Sequence, residues 1–252
     1  MCPPKDSTAD DSTDEVSSTL LELLEGNDQH VAGLEDDYFD GLQSKQRPDV
    51  VSICCSDSRV SQEGMWALDR PGAVFTPSNI GNQAWDDHEG ERIVDGSLLY
   101  PVHYAGTEAI AVVGHTGCGA VTAAYQVATG SDLPEPVGVG KWVDMLVPVI
   151  EEGLESDLVD TEDETTGDSL EEFEIVNQLV EYNVDYQVSF LAESDDVPEG
   201  VDTFGFVYDF HGVYGDGQGR AYLVNYNGET KPSAIEAMLP DGHAGVTRSL
   251  LY

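Results

Sequence analysis

Two apolar runs, each leading into metal-binding side chains, set the strongest limit on what this chain can fold into. Val50, Val51 and Ile53 lead into Cys54-Cys55-Ser56-Asp57-Ser58-Arg59, and Ala109 to Val113 leads into Gly114-His115-Thr116-Gly117-Cys118-Gly119. Both runs read as buried strands, and the second passes through a turn into a small-residue helical stretch from Ala120 to Tyr125. Two thiols and an imidazole serve one metal ion only if both halves meet. The long spacing between the two fragments therefore favours a single α/β unit over two independent domains.

Cysteine sulfur and histidine nitrogen are the usual donors to zinc. A set of three, Cys55, His115 and Cys118, leaves the fourth tetrahedral position for water, the arrangement of a catalytic site. Zinc lowers the pKa of such a water to about 7. If the chain stays extended after Cys55, side chains two apart share a face and bring Cys55, Asp57 and Arg59 to one side. The second fragment sits where open α/β sheets place their sites, at the carboxyl end of a strand. Gly117 and Gly119 permit close backbone approach, and the helix start favours a Cys118 thiolate.

The pattern Cys-x-Asp-x-Arg followed by His-x-x-Cys in this strand context resembles the β-class carbonic anhydrases. Leu23-Leu24-Glu25-Gly26-Asn27 resembles the opening helix of that family, and Gln46-Arg47-Pro48 the segment before its first strand. Pro71-Gly72, Phe75 and Asn79-Ile80-Gly81-Asn82 resemble the stretch between its zinc motifs, Ser97 to Tyr100 the helix before its second zinc strand, and Gly205 to Asp209 its late strand. The resemblance runs from about Leu20 to Asn225 around an unmatched acidic segment.

The resemblance implies reversible hydration of carbon dioxide to bicarbonate and a proton. It implies zinc on Cys55, His115 and Cys118, and an Asp57–Arg59 dyad that orients the attacking hydroxide, with Arg59 holding Asp57 off the metal. Asp57 as a fourth ligand would close the site. Gln46 would offer an amide to substrate, and Phe75, Ile80 and Tyr100 would wall a narrow apolar pocket suited to a small nonpolar molecule. Amino-terminal helices wrap a second subunit in the family, which implies a homodimer or a larger even assembly.

Two positions depart from the family. Ser78 stands where an Arg usually precedes the Asn of the central segment, and Ser52 stands where the allosteric branch carries Trp, which favours an open zinc site. The alternatives to the hydration reading are a zinc-stabilised scaffold or sensor without catalysis, and a hydrolase of carbonyl sulfide or carbon disulfide.

Other candidates read plainly. Cys2 and Cys54 are expected to be small buried hydrophobes. His30, His88, His103, His211 and His243 have no ligand spacing to one another and read as surface or capped residues, with proton shuttling as the lesser alternative. Gly215 to Gly219 lies between two strand-like runs, Thr203 to Phe210 and Ala221 to Tyr226, so it reads as a hairpin loop rather than a phosphate loop.

Charge is the second large constraint. Across 252 residues there are 49 acidic against 10 basic side chains, a net charge of −39. Repulsion on that scale opposes compaction in dilute buffer, whereas at molar salt the Debye length falls to about 3 Å. This halophile-like composition predicts a requirement for high salt. The acid is spread along the chain, which argues against nucleic acid, anionic membranes and a docking patch for a basic partner.

The expected architecture is α/β: a mainly parallel central sheet with strands near residues 50, 74, 111 and 205, flanked by helices, with an N-terminal helical arm over Val16 to Leu34. Residues 1 to 15 read as a flexible acidic leader, residues 16 to 252 as one domain, and Glu151 to Glu172 as an exposed acidic loop before a helix from Phe173 to Leu191. There is no signal-peptide pattern and no membrane-length apolar run, and the cysteines suit a reducing cytoplasm.

Overall fold

The structure, a computed structural model, describes residues 17–68, 70–163, 165–215, 217–243 and 245–252. The predicted leader, residues 1 to 15, and Cys2 lie outside the described residues. The chain divides into two compact units at Gln43/Ser44. The first holds helix α1, Ser18–Gly33, which agrees with the expected arm to within two residues at its start and one at its end; none of its residues is buried, and Leu20, Leu23, Leu24 and Val31 are all exposed.

The second unit is built on a sheet in the order β2-β1-β6-β7-β8, with β3 also pairing β1. The strands are β1, Val50–Cys55; β2, Val74–Phe75; β3, Ser78–Asn79; β6, Ala109–His115; β7, Asp202–Asp209; and β8, Arg220–Tyr226. All pairings are parallel except β7 with β8. A parallel sheet covered on both faces needs near-continuous apolar strands. β1 and β6 meet that need, being buried from Val51 to Cys55 and from Ile110 to His115. The antiparallel β7–β8 pair forms the expected hairpin, with residue 216 of its loop outside the described residues.

Helices supply the layers. They are α2, Gln62–Met65; α3, Gly96–Tyr100, continuing as a π-helical turn Pro101–Ala105; α4, Gly119–Ala128; α5, Val137–Asp144; α6, Val147–Glu155; α7, Glu172–Glu193; and α8, Pro232–Met238. The longest, α7, packs on β6 and β7, and Gly114 of β6 allows its close approach. A Cβ there would stand 2.8 Å from Val184 Cγ2 and 3.1 Å from Val180 Cγ1.

One expectation needs correction, one helix is slightly longer than expected, and one element was not anticipated. The acidic segment is not loop throughout, because Glu151–Glu155 complete α6, whose apolar Val149 and Ile150 are buried and carry the acidic last turn along. Helix α7 starts at Glu172, fixed by a capping box between Glu171 and Glu174, and runs to Glu193. The segment Trp85 to Val94 adds an unanticipated two-stranded hairpin, β4 (Trp85–His88) and β5 (Glu91–Val94), turned by Glu89 and Gly90 with φ of 56° and 85°.

Candidate metal centre

The site forms where β1 and β6 end side by side. Ser52 to Cys54 pair with Ala111 to Val113 in parallel register, so Cys55 and His115 leave the sheet at the same edge. After the two-residue turn Thr116-Gly117, Cys118 is the N-cap of α4. The donor atoms of Cys55, His115 and Cys118 all lie within 4.8 Å of one another, and all three residues are buried. Sequence separation is thus removed by strand register.

The chemistry of the donors fits a metal cation. His115 Nδ1 lies 3.0 Å from the carbonyl oxygen of Thr116. A carbonyl only accepts, so Nδ1 carries the proton and Nε2 presents a lone pair. That Nε2 is buried and has no hydrogen-bond partner among the described residues. Cys118 Sγ donates to Cys55 Sγ at 3.9 Å, and Gly81 N donates to the same sulfur at 3.5 Å. The Cys118 hydrogen bond holds the Cys55 thiol below its ordinary range against the opposing effect of burial. Cys118 is pushed up, first by the proton it shares with Cys55 and then by burial, while the amides of Val121 and Ala120 pull it down. A divalent soft-donor metal would take both sulfurs as thiolates.

Asp57 and Arg59 are beside the donors, though not by strand alternation. The chain turns after Cys55, and Arg59 N donates to Asp57 Oδ1 at 2.9 Å across the turn. Arg59 Nε reaches Oδ1 at 2.8 Å and Nη2 reaches Oδ2 at 2.6 Å, a bidentate pair. These hydrogen bonds hold the Asp57 carboxyl well below the usual carboxylate range. Asp57 Oδ2 is 3.7 Å from His115 Nε2, so the carboxylate faces the metal position.

The proposed pocket residues do not all converge. Ile80 follows Asn79, which pairs with Cys55 in β3, so it stands at the metal edge. Phe75 pairs with Val51 near the opposite end of β1, and Gln46 is exposed four residues before that strand begins. Tyr100 is half-exposed and tilts against Phe75 at 6.2 Å between ring centroids. At about 3.3 Å per residue, the length of β1 separates Gln46 and Phe75 from Cys55.

Sequence reasoning missed Phe210 and Asn177 as supports of the site and did not foresee how Gly117, His211 and Ser78 are held. Phe210 stacks on the His115 ring, with centroids 5.5 Å apart and 22° between planes. Asn177 of α7 accepts from Gly117 N at 2.8 Å. Gly117 has φ of 63°, and a Cβ there would stand 2.7 Å from His211 Cε1. His211 Nδ1 is 2.9 Å from Thr116 Oγ1, so this histidine is tied to the turn between the ligands. Ser78 accepts from Gln62 Nε2 at 3.0 Å. Position 210 follows the strand quoted for the family resemblance, and nothing in its spacing marks it.

Cys54 is buried on the other face of β1 with Ala111 and Val113, and is a free thiol. His103 Nε2 lies 2.9 Å from the carbonyl oxygen of Asp196, and His103, His88 and His243 are all exposed.

Two thiols and one imidazole at the carboxyl edge of a parallel sheet, with an ion-paired carboxylate facing them, define an α/β protein with a soft-donor site able to hold a metal cation. The chain belongs to the carbonic anhydrase family, whose model matches residues 50–216. It is 34% identical over 118 residues to carbonic anhydrase 2 of Mycobacterium tuberculosis, covering 44% of this chain and 54% of that one. The fold is similar to that of the β-carbonic anhydrase CcaA, with a TM-score of 0.65 at 20% identity over 83% of this chain and 89% of the other. It is also similar to a tetrameric β-carbonic anhydrase of Sordaria macrospora, with a TM-score of 0.64 at 22% identity over 83% and 98%. The chain spans about half the length of the curated relatives it matches. Among the described residues, no helix is long and apolar enough to cross a membrane.

Proposed function

We propose that this chain catalyses the zinc-dependent, reversible hydration of carbon dioxide to bicarbonate and a proton. The observation that carries the reading is the convergence of the Cys55, His115 and Cys118 donor atoms within 4.8 Å beside the Asp57–Arg59 pair. Zinc held by those three donors would act as a Lewis acid and make a water at the site acidic enough to ionise near neutral pH.

The chain's own residues supply orientation. Asp57, kept ionised by Arg59, is acceptor-only and can receive the hydrogen of an attacking water, turning the oxygen lone pair toward carbon. Arg59 occupies both carboxylate oxygens and so restrains Asp57 from taking a metal position itself. Deep burial of His115 and Cys118 keeps bulk water from those donors. Ile80 offers apolar contact at the same edge, which suits a nonpolar substrate.

The substrate roles of Gln46 and Phe75, and of Tyr100 packed against Phe75, call for a second copy, because the length of β1 holds Gln46 and Phe75 away from the metal position of their own chain. We infer a homodimer or larger even assembly in which one protomer presents these residues to its partner's site; the tetrameric relative and the exposed leucines of α1 are consistent with it. The acidic composition supports a salt-rich cytoplasm as the working medium.

Stopped-flow hydration in molar KCl, with zinc measured on the same sample, tests the reading. Activity should vanish on chelation and return with zinc. A fully zinc-loaded protein without hydration activity would leave the fold as a metal-stabilised scaffold instead.

A further inference from the structure

Phe210 closes a circuit of four groups around the metal position. The Arg59 guanidinium carbon lies 4.5 Å from the centroid of the Phe210 ring. Phe210 stacks on His115 at 5.5 Å. His115 Nε2 is 3.7 Å from Asp57 Oδ2, and Asp57 returns to Arg59 through the bidentate pair. Each member touches the next, and one of them is a metal donor.

The ring is itself well held. It follows Asp209, the last residue of β7, which is fully buried and accepts the amides of His211, Gly212 and Tyr214 at 3.1, 2.8 and 2.9 Å. Tyr208 meets the ring edge-on at 5.9 Å, and His211 lies against it at 4.5 Å. The backbone position of Phe210 is thereby fixed by a buried carboxylate, and its ring orientation by aromatic neighbours on both sides in sequence.

Arg59 needs such a support. Its side chain is 51% exposed and sits on a turn. A solvent-exposed ion pair pays rotamer entropy for two side chains and is worth little alone. The negative face of an aromatic ring attracts a guanidinium and stacks with its plane.

We propose that Phe210 is a positioning residue for the Asp57–Arg59 dyad, holding the guanidinium by its ring face and, through its stack on His115, keeping dyad and metal donor in one register. The catalytic consequence rests on the carbonic anhydrase reading; the contact does not. Phe210→Leu keeps apolar bulk and removes the ring face, whereas Phe210→Trp and Phe210→Tyr keep a face. Fluorinated phenylalanines at position 210 keep the shape while draining negative charge from it.

The zinc-loaded proteins are compared by side-chain NMR of the Arg59 Nε–Hε group, by zinc content and by hydration rate. Phe210→Leu should lose the ring-current shift of Arg59 Hε, exchange that proton faster and lower kcat about tenfold with zinc retained. Phe210→Trp should restore all three, and the fluorinated series should give a graded loss. Unchanged Arg59 exchange and kcat in Phe210→Leu, loss of zinc in that variant, or a flat fluorine series would each overturn the proposal. If wild type shows no hydration, the functional reading fails, while the Arg59 resonance still decides the positioning role.

Discussion

Cys54 and Cys55 are consecutive residues of β1 and have opposite chemistry. Burial pushes the Cys54 thiol up to about 12, while the hydrogen bond from Cys118 draws Cys55 down. Strand alternation is the cause: one side chain enters the apolar cluster with Ala111 and Val113, the other the donor group. Cys54→Ala should therefore keep full zinc at a cost of about 1 kcal/mol in stability. Cys55→Ser should lose the metal. Zinc analysis and denaturant melts of the two variants check this, and equal zinc loss in both would contradict it.

Arg59→Ala should leave the three donors intact and release Asp57. Zinc content stays near that of wild type, and hydration falls by about a hundredfold or more. Wild-type turnover at full zinc occupancy would refute the dyad's role.

Asp185 of α7 carries a pH dependence of its own. Burial, and then the charge of Glu181, pushes its carboxyl up to about 8, while a hydrogen bond from Asn225 pulls the other way. An unfolded aspartate titrates near 3.9. Between these values the folded chain holds a proton that the unfolded chain has lost. The contribution to stability is full below about pH 4 and is lost as pH rises through about 8, at up to about 1.4 kcal/mol per pH unit. Glu181, which accepts from Tyr214, Ser249 and the amide of Leu250, is also raised by burial and adds in the same direction. Asp185→Asn should flatten the decline and exceed wild type in stability at pH 8 to 9. Parallel pH–stability curves would refute this assignment.

The net charge of −39 makes salt a stability variable. Melting temperature should rise by about 10 °C or more between dilute buffer and molar KCl as repulsion is screened. The same melting temperature in both media would show that the carboxylates are tolerated without screening.

Much of this was legible from residue types. The donors, the strand–turn–helix around His115 and the parallel sheet followed from apolar runs ending in Cys, His and Gly, because burial on both faces imposes that composition. What was not legible depends on contacts between distant segments. Phe210, Asn177 and the Glu181–Asp185 network carry no spacing signal, since their roles arise only when β7, α7 and the turn after β6 are packed together. Asp57 and Arg59 form an ion pair across a turn, where the spacing had suggested an extended strand with both on one face. Gln46, Phe75 and Tyr100 were assigned by resemblance, and strand length then placed Gln46 and Phe75 beyond reach of their own chain's metal.

X-ray absorption at the zinc edge on protein purified in molar KCl addresses the donor set directly. The account predicts one zinc per chain, with two sulfur ligands at about 2.3 Å and nitrogen at about 2.0 to 2.1 Å. A spectrum without sulfur ligands, or a folded protein that takes up no zinc, would contradict it.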